Sequence, residues 1–311
     1  MISDIRQKQV SKPVFKAKLH PVDLKYKQML REGIQDTFQF SPKIEDLDSI
    51  AGPVELRQLL KSFSYKDYKL GDRKFNELSS PTEFKNVEYG FLRANLHVHT
   101  NKSDGKMSPQ EFLEMSNKYA NKVAKNHFVD DLPAYTSATT DHNNFEAAKE
   151  IIASIAEEPK KYKNFKFVSG SEFMLIDNNS PFQYKAFEGI GLGFNPFDKE
   201  LASKTTKMND ISLIKDIKKD GAVVSYAHPI PQLQGNGAKP EFIQYLINNG
   251  VDAIESHYQF HNFKKTFELQ KGVFEADSMA QVYGLMRTGG TDSHCNNIFG
   301  QRAGDKLNIL L

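Results

Sequence analysis

The stretch YTSATTDHNNFEAAKEIIASIAEEPKKYKNFKFVSGSEF, residues 135–173, holds one full repeat of the fold. YTSATTDH reads as a strand, FEAAKEIIASIAEE as a helix and FKFVSGSEF as the next strand. Each strand runs out into ionisable residues: Asp141 and His142 at the first, Glu172 at the second.

Outward from this unit the same order recurs. Upstream, LRANLHVHT (92–100) is a strand, and Ser108-Pro109-Gln110-Glu111 is a capping box with proline at the first helical position, opening a helix towards Lys125. Downstream, EGIGLGF (188–194) reads as a strand, and ISLIKDIKKDG (211–221) as a helix closed by Gly221. AVVSYAHP (222–229) is a strand, KPEFIQYLINNG (239–250) a helix and VDAIESH (251–257) a strand. A helical segment from about Lys264 to Tyr283 then leads into LMRTGGTDSH (285–294). Repeated β-then-α order implies a parallel sheet or barrel with covered faces.

His97, His99, Asp141, His142, Glu172, His228, His257, Asp292 and His294 lie at or just past the carboxyl ends of these strands. In an α/β barrel those ends form one rim, where active sites are built. In HVH, strand alternation points His97 and His99 one way and Val98 the other, a two-point ligand for a divalent ion. Asp104, in a Gly-containing turn, can reach back over the rim. TDSH repeats the spacing with Asp292 and His294, after a Gly-Gly pair that lets backbone approach closely. Asp141 and His142 are adjacent, so one strand face takes only one of them; His142 is read as the ligand and Asp141 as its support. Glu172 can bridge two cations, and an unpaired buried glutamate would be costly. AHP supplies His228. The set exceeds the needs of one four- or five-coordinate ion. Two or three divalent ions with mixed N and O ligands, Zn, Mn or Fe, are therefore expected.

Residues 1–90 are Lys- and Gln-rich, with turn signals at Ser41-Pro42, Gly52-Pro53 and Ser80-Pro81 and one helix expected between Asp46 and Phe63. They read as an N-terminal extension or cap, of unknown role, on a domain spanning 91–311. Net charge is +2, from 41 basic and 39 acidic residues, which gives no electrostatic case for a membrane surface or a stable partner of long nucleic acid. The single cysteine, Cys295, fits a reducing compartment. No run of about eighteen apolar residues occurs, so a cytoplasmic protein without a membrane span is expected.

HVHTNKSDG, TTDHN, GSEF, AHP and TDSH, in this order, resemble the polymerase-and-histidinol-phosphatase (PHP) family of metal-dependent phosphoesterases. The resemblance covers residues 91–311 and implies a distorted (β/α)7 TIM-like barrel with a di- or trinuclear metal centre. By that likeness His97, His99, Glu172 and Asp292 would hold a first ion. Glu172 would bridge to a second ion that also takes His228, and Asp104, His142 and His294 would hold a third. Glu188, in EGIGLGF, stands where the family usually has a further histidine for the second ion. The second site then keeps a carboxylate, prefers a harder ion such as Mn, or is empty, with His257 and His261 as alternative ligands. The implied activity is phosphate ester hydrolysis by metal-bound hydroxide, on a nucleotide, a short oligonucleotide or a phosphorylated metabolite. His257 or His261 is a candidate to protonate the leaving oxygen. Arg302 and Arg287, and less so Lys102, are candidates to recognise phosphate. Two other readings remain: a PHP module with a structural or partner-binding role, and carbon–nitrogen hydrolysis, which usually adds a metal-bridging lysine that no strand end here supplies.

Overall fold

A computed structural model describes residues 19–62, 93–126, 133–182, 185–229, 240–258 and 266–298. The elements are helices α1 (Pro21–Phe38) and α2 (Pro53–Ser62), strand β1 (Ala94–Asn95), α3 (Pro109–Asn126), β2 (Tyr135–Thr139), α4 (Glu146–Glu157), β3 (Phe165–Ile176), β4 (Ala186–Leu192), α5 (Lys199–Lys204), β5 (Asn209–Asp210), α6 (Leu213–Ile217), β6 (Val223–Tyr226), α7 (Pro240–Asn248), β7 (Ala253–Tyr258), α8 (Thr266–Tyr283) and β8 (Met286–Gly290).

Seven strands form a continuous path in the order β1-β2-β3-β4-β6-β7-β8, with the short β5 paired beside β3. The path nearly closes on itself. Beyond β1 and β8 the two edges exchange backbone hydrogen bonds, Leu96 N–H to Gly289 C=O, Asp292 N–H to His97 C=O and His99 N–H to Ser293 C=O, each within 2.9 Å. The result is a TIM-like barrel. One apolar cluster draws Ala94, Ala138, Val168, Ile190, Val223 and Ala253 from six strands, a set that can meet only inside the barrel. Two further clusters lie between the sheet and its helices.

Most pairings are parallel, but β4 runs antiparallel to both β3 and β6. The expected parallel pairing holds elsewhere along the path and is broken at this one strand. Only nine residues separate the end of β3 at Ile176 from the start of β4 at Ala186, fewer than the dozen or so a crossover needs, so the two strands pair as an antiparallel hairpin. The amino end of β4 thereby stands beside the carboxyl ends of its neighbours.

The helix expected between Asp46 and Phe63 is present and shorter, Pro53–Ser62. A 3-10 turn, Ile44–Leu47, is followed by α2, which starts at Pro53 because proline is preset for a first turn and disfavours helix just before it. Asp23 on α1 accepts the backbone N–H groups of Val54 and Glu55, serving as α2's cap from another element. Leu56, Leu59 and Leu60 of α2 join the interior cluster, and Arg57 donates to the carbonyls of Gly221 and Ala222, just ahead of β6. Helix α2 therefore closes the barrel at its strand amino ends. Helix α1, which the sequence does not announce, buries Tyr26, Leu30 and Ile34 at i, i+4 and i+8 against the outer face. Ser108 and Glu111 form the expected capping box at α3. Among the described residues no helix is long and apolar enough to cross a membrane.

Candidate metal centre

The carboxyl end of the barrel gathers three groups of side chains whose ligand atoms lie within 4.8 Å of one another: His97, His99, Glu172 and Asp292; Glu172, Glu188 and His228; and His99, Asp104, His142 and His294.

The first group is the most deeply buried. Val98 turns into the outer core while His97 and His99 face the centre. Five separations among His97 Nε2, His99 Nε2, Glu172 Oε2 and Asp292 Oδ1 run from 3.1 to 3.3 Å. These are five of the six edges of a tetrahedron, the sixth, between the carboxylate oxygens, lying within 4.8 Å; a regular tetrahedron of such edge has its centre about 2.0 Å from each corner, the length of a Zn–N or Zn–O bond. Two imidazole lone pairs 3.1 Å apart repel unless a proton or cation lies between them. Asp292 Oδ1, aimed at the same point, is buried with no hydrogen bond. Donor chemistry and spacing fit a four-coordinate cation.

The second group hangs on the other oxygen of the same carboxylate. Glu172 Oε1 lies 2.8 Å from His228 Nε2, which in turn is 3.5 Å from Glu188 Oε2. Glu188 reaches this point because β4 is reversed. The third group is the most open: Asp104 Oδ1 is 3.3 Å from His294 Nε2 and Oδ2 is 3.7 Å from His142 Nε2. His99 borders it through Nδ1, 3.6 Å from Asp104. A neutral imidazole has one lone pair, so His99 can serve one group at a time.

Backbone geometry sets these side chains. The turn after His99 doubles back, with Gly105 N–H on Thr100 C=O, and a Cβ on Gly105 would sit 2.4 Å from His99 O. Asp141 braces that turn, accepting from Thr100 N–H, Thr100 Oγ and Ser103 Oγ at 2.7–2.8 Å. Its support thus goes to the loop carrying Asp104 rather than to a histidine. Gly290 lies so close to His97 that a Cβ there would sit 2.2 Å from that of His97. His228 and Asp292 both have positive φ, 22° and 52°, settings that persist only where surroundings over-determine them.

The electrostatics follow from the carboxylates. Burial opposes protonation of His97, but Glu255, Glu172 and Asp292 outweigh it and hold the imidazole pKa well above its ordinary value. The same contest, decided by Asp292 and Glu172, pushes His99 up to about 9, and Glu172 does so for His228, also to about 9. Burial would raise Glu172 and Asp292, yet the facing histidines hold both low. Burial lowers His142 and raises Glu188. The pocket as built draws in positive charge, which protons or metal cations can supply.

Two residues here escaped the sequence reading. Glu255, fully buried on β7, lies 3.1 Å from His97 Nδ1, and Tyr258 donates its O–H to Asp292 Oδ2 at 2.8 Å. The available signal was a glutamate directly after the apolar Ala253-Ile254 pair of β7. His257, a sequence candidate for catalysis, belongs to none of the three groups. Pairing of β7 with β8 slips between Glu255 and His257. His257 Nδ1 meets Ser256 Oγ at 2.7 Å, burial pushes its pKa down to about 4, and the charges acting on it are Asp277 and Arg287. Arg287 is ion-paired with Asp277, and Lys102 with Glu150, so both basic candidates already face a carboxylate. His261 and Arg302 lie outside the described residues.

No family model and no curated protein matches the chain. Solved structures similar to it include a provisionally assigned metal-dependent phosphoesterase from Bifidobacterium adolescentis (TM-score 0.49, 15% identity, 69% of this chain and 91% of that one). Another is an amidohydrolase from Chromobacterium violaceum with bound sulfate and no metal (TM-score 0.49, 15% identity, 68% and 90%). Likeness at this level says nothing of this chain's chemistry.

Proposed function

We propose that the chain is a metal-dependent phosphoesterase, holding two or three divalent ions of Zn, Mn or Fe at the rim and hydrolysing a small phosphorylated substrate. The observation that carries this reading is the His97–His99–Glu172–Asp292 tetrahedron, with the second oxygen of Glu172 turned to His228. Bound ions would supply an activated water near neutral pH and neutralise charge developing on the phosphoryl oxygens.

The chain's own residues would do the rest. His97, His99, Glu172 and Asp292 would hold a first ion, Glu172, His228 and Glu188 a second, and Asp104, His142 and His294 a third. The exposure of Asp104 and His142, against the burial of His97 and His99, supports substrate entry from the third group's side. His294 donates Nδ1–H to Asp292 C=O, and His97 presents Nδ1 to Glu255; each leaves Nε2 turned to the centre. Arg302 and His261 stay in this reading as the phosphate contact and the proton donor to the leaving oxygen. His257, turned to Ser256 and outside the three groups, does not.

A phosphate-release screen tests the proposal, over an aryl phosphate, mononucleotides, short oligonucleotides and phosphorylated metabolites, with Mn or Zn added. Release that a chelator abolishes and added ion restores is the expected result. Bound ions without release from any substrate would favour a partner-binding module instead.

A further inference from the structure

Glu255 is completely buried, and its carboxylate spans the two inner groups: both oxygens reach His97 Nδ1, at 3.1 and 3.3 Å, and Oε2 also reaches the backbone of His228. Oε1 lies 3.1 Å from Nδ1 of His97, whose Nε2 faces the first group. Oε2 accepts the backbone N–H of His228 at 2.8 Å, and the ring of His228 belongs to the second group. His228 is also the residue whose φ of 22° needs outside support. Glu255 itself is in none of the groups, so its carboxylate is placed to hold ligands rather than to be one.

We propose that Glu255 is a positioning residue that couples the first and second ion sites. It fixes His97 as the Nδ1–H tautomer, with Nε2 bare for the first ion, and pins the backbone that aims His228 at the second. The proposal rests on the reading of the rim as a metal centre. Its chemistry turns on the count of acceptors. A carboxylate accepts both N–H groups, whereas a glutamine amide offers one acceptor and one NH2. In Glu255→Gln the NH2 must face either the His228 N–H, donor against donor, or His97 Nδ1. The second choice sets the NH2 at the nearer, 3.1 Å position and the oxygen at 3.3 Å, which favours the ring proton on Nε2, the atom aimed at Glu172 and Asp292.

The experiment is a Zn2+ titration of the full-length wild-type, Glu255→Gln and Glu255→Asp proteins. Binding is followed by calorimetry, and 15N–1H correlation of the imidazoles reads the tautomer and ligation of each histidine. In Glu255→Gln, zinc affinity at His97 and His228 should fall about 10–100-fold, and His97 should change tautomer, while His142 and His294 bind as in the wild type. Glu255→Asp keeps two acceptors drawn back by one methylene. It should keep the His97 tautomer, with intermediate affinity at those same two histidines. Unchanged affinity and tautomer in Glu255→Gln would overturn the proposal, as would an equal loss at all four histidines, the mark of a merely structural role. If Glu255→Gln does not fold, wild-type affinity in Glu255→Asp overturns it. A wild-type protein that binds no zinc overturns the metal reading as well; zinc binding unaffected by the glutamine variant overturns this proposal alone.

Discussion

At Glu172 one carboxylate is shared, Oε2 with His97 and His99 and also with His142 of the third group, and Oε1 with His228, so a change there reaches the first two groups directly and borders the third. Glu172→Gln should lower phosphate release more than about 100-fold, beyond what losing an outer partner costs; near-normal turnover would contradict the shared role. His257 has a different signature. Its pKa is about 4 in the fold against an ordinary 6.5, because burial disfavours the charged ring. As pH falls from 6.5 to 4 the unfolded chain takes up a proton that the folded chain does not. Stability present above this window is therefore lost within it, by roughly 3 kcal/mol. His257→Asn should lose less stability than the wild type between pH 7 and pH 4.5, measured by urea denaturation. Equal acid losses would show that the buried neutral ring is not the cause. The ligand histidines are legible in the sequence because HVH and DSH space their polar residues by two at the ends of apolar, strand-like runs. Glu255 and Tyr258 are not, because the register slip in ESHY breaks that rule where it is needed.

Between elements, the barrel is drawn tight where β8 passes β1. Gly290 leaves no space for a side chain beside His97. Gly290→Ala should destabilise the fold by about 1–3 kcal/mol through overpacking and weaken ion binding at His97 and His99 more than at His142. Thermal unfolding and zinc titration check this, and a variant matching the wild type in both would show that the strands can part freely. The strand–helix alternation is readable from caps and glycines, as at Ser108–Glu111 and Gly221. The reversal of β4 is less so: EGIGLGF reads as a strand in either direction, and only the shortness of its connection to β3 marks the hairpin.

Across the whole molecule, charge and apolar packing are segregated along the barrel axis. Glu172 shares its strand face with Val168, four residues closer to the amino end, where Leu56, Leu59 and Leu60 of α2 fill the interior. This end is hard to read in the sequence because α2 is capped from α1 rather than from its own flanks. Removing residues 1–62 would uncover Ala94, Leu96 and Val168. The shortened chain should lose cooperative thermal unfolding; a wild-type Tm after truncation would show that these helices add nothing to the core.

The most direct test of the rim as a multi-ion centre is the number of ions bound per chain, by elemental analysis after chelation and dialysis against Zn or Mn. At least two per chain in the wild type, falling in Glu172→Gln to those the third group retains, is the result this account requires. At most one ion in the wild type, or the same number in both proteins, would contradict it.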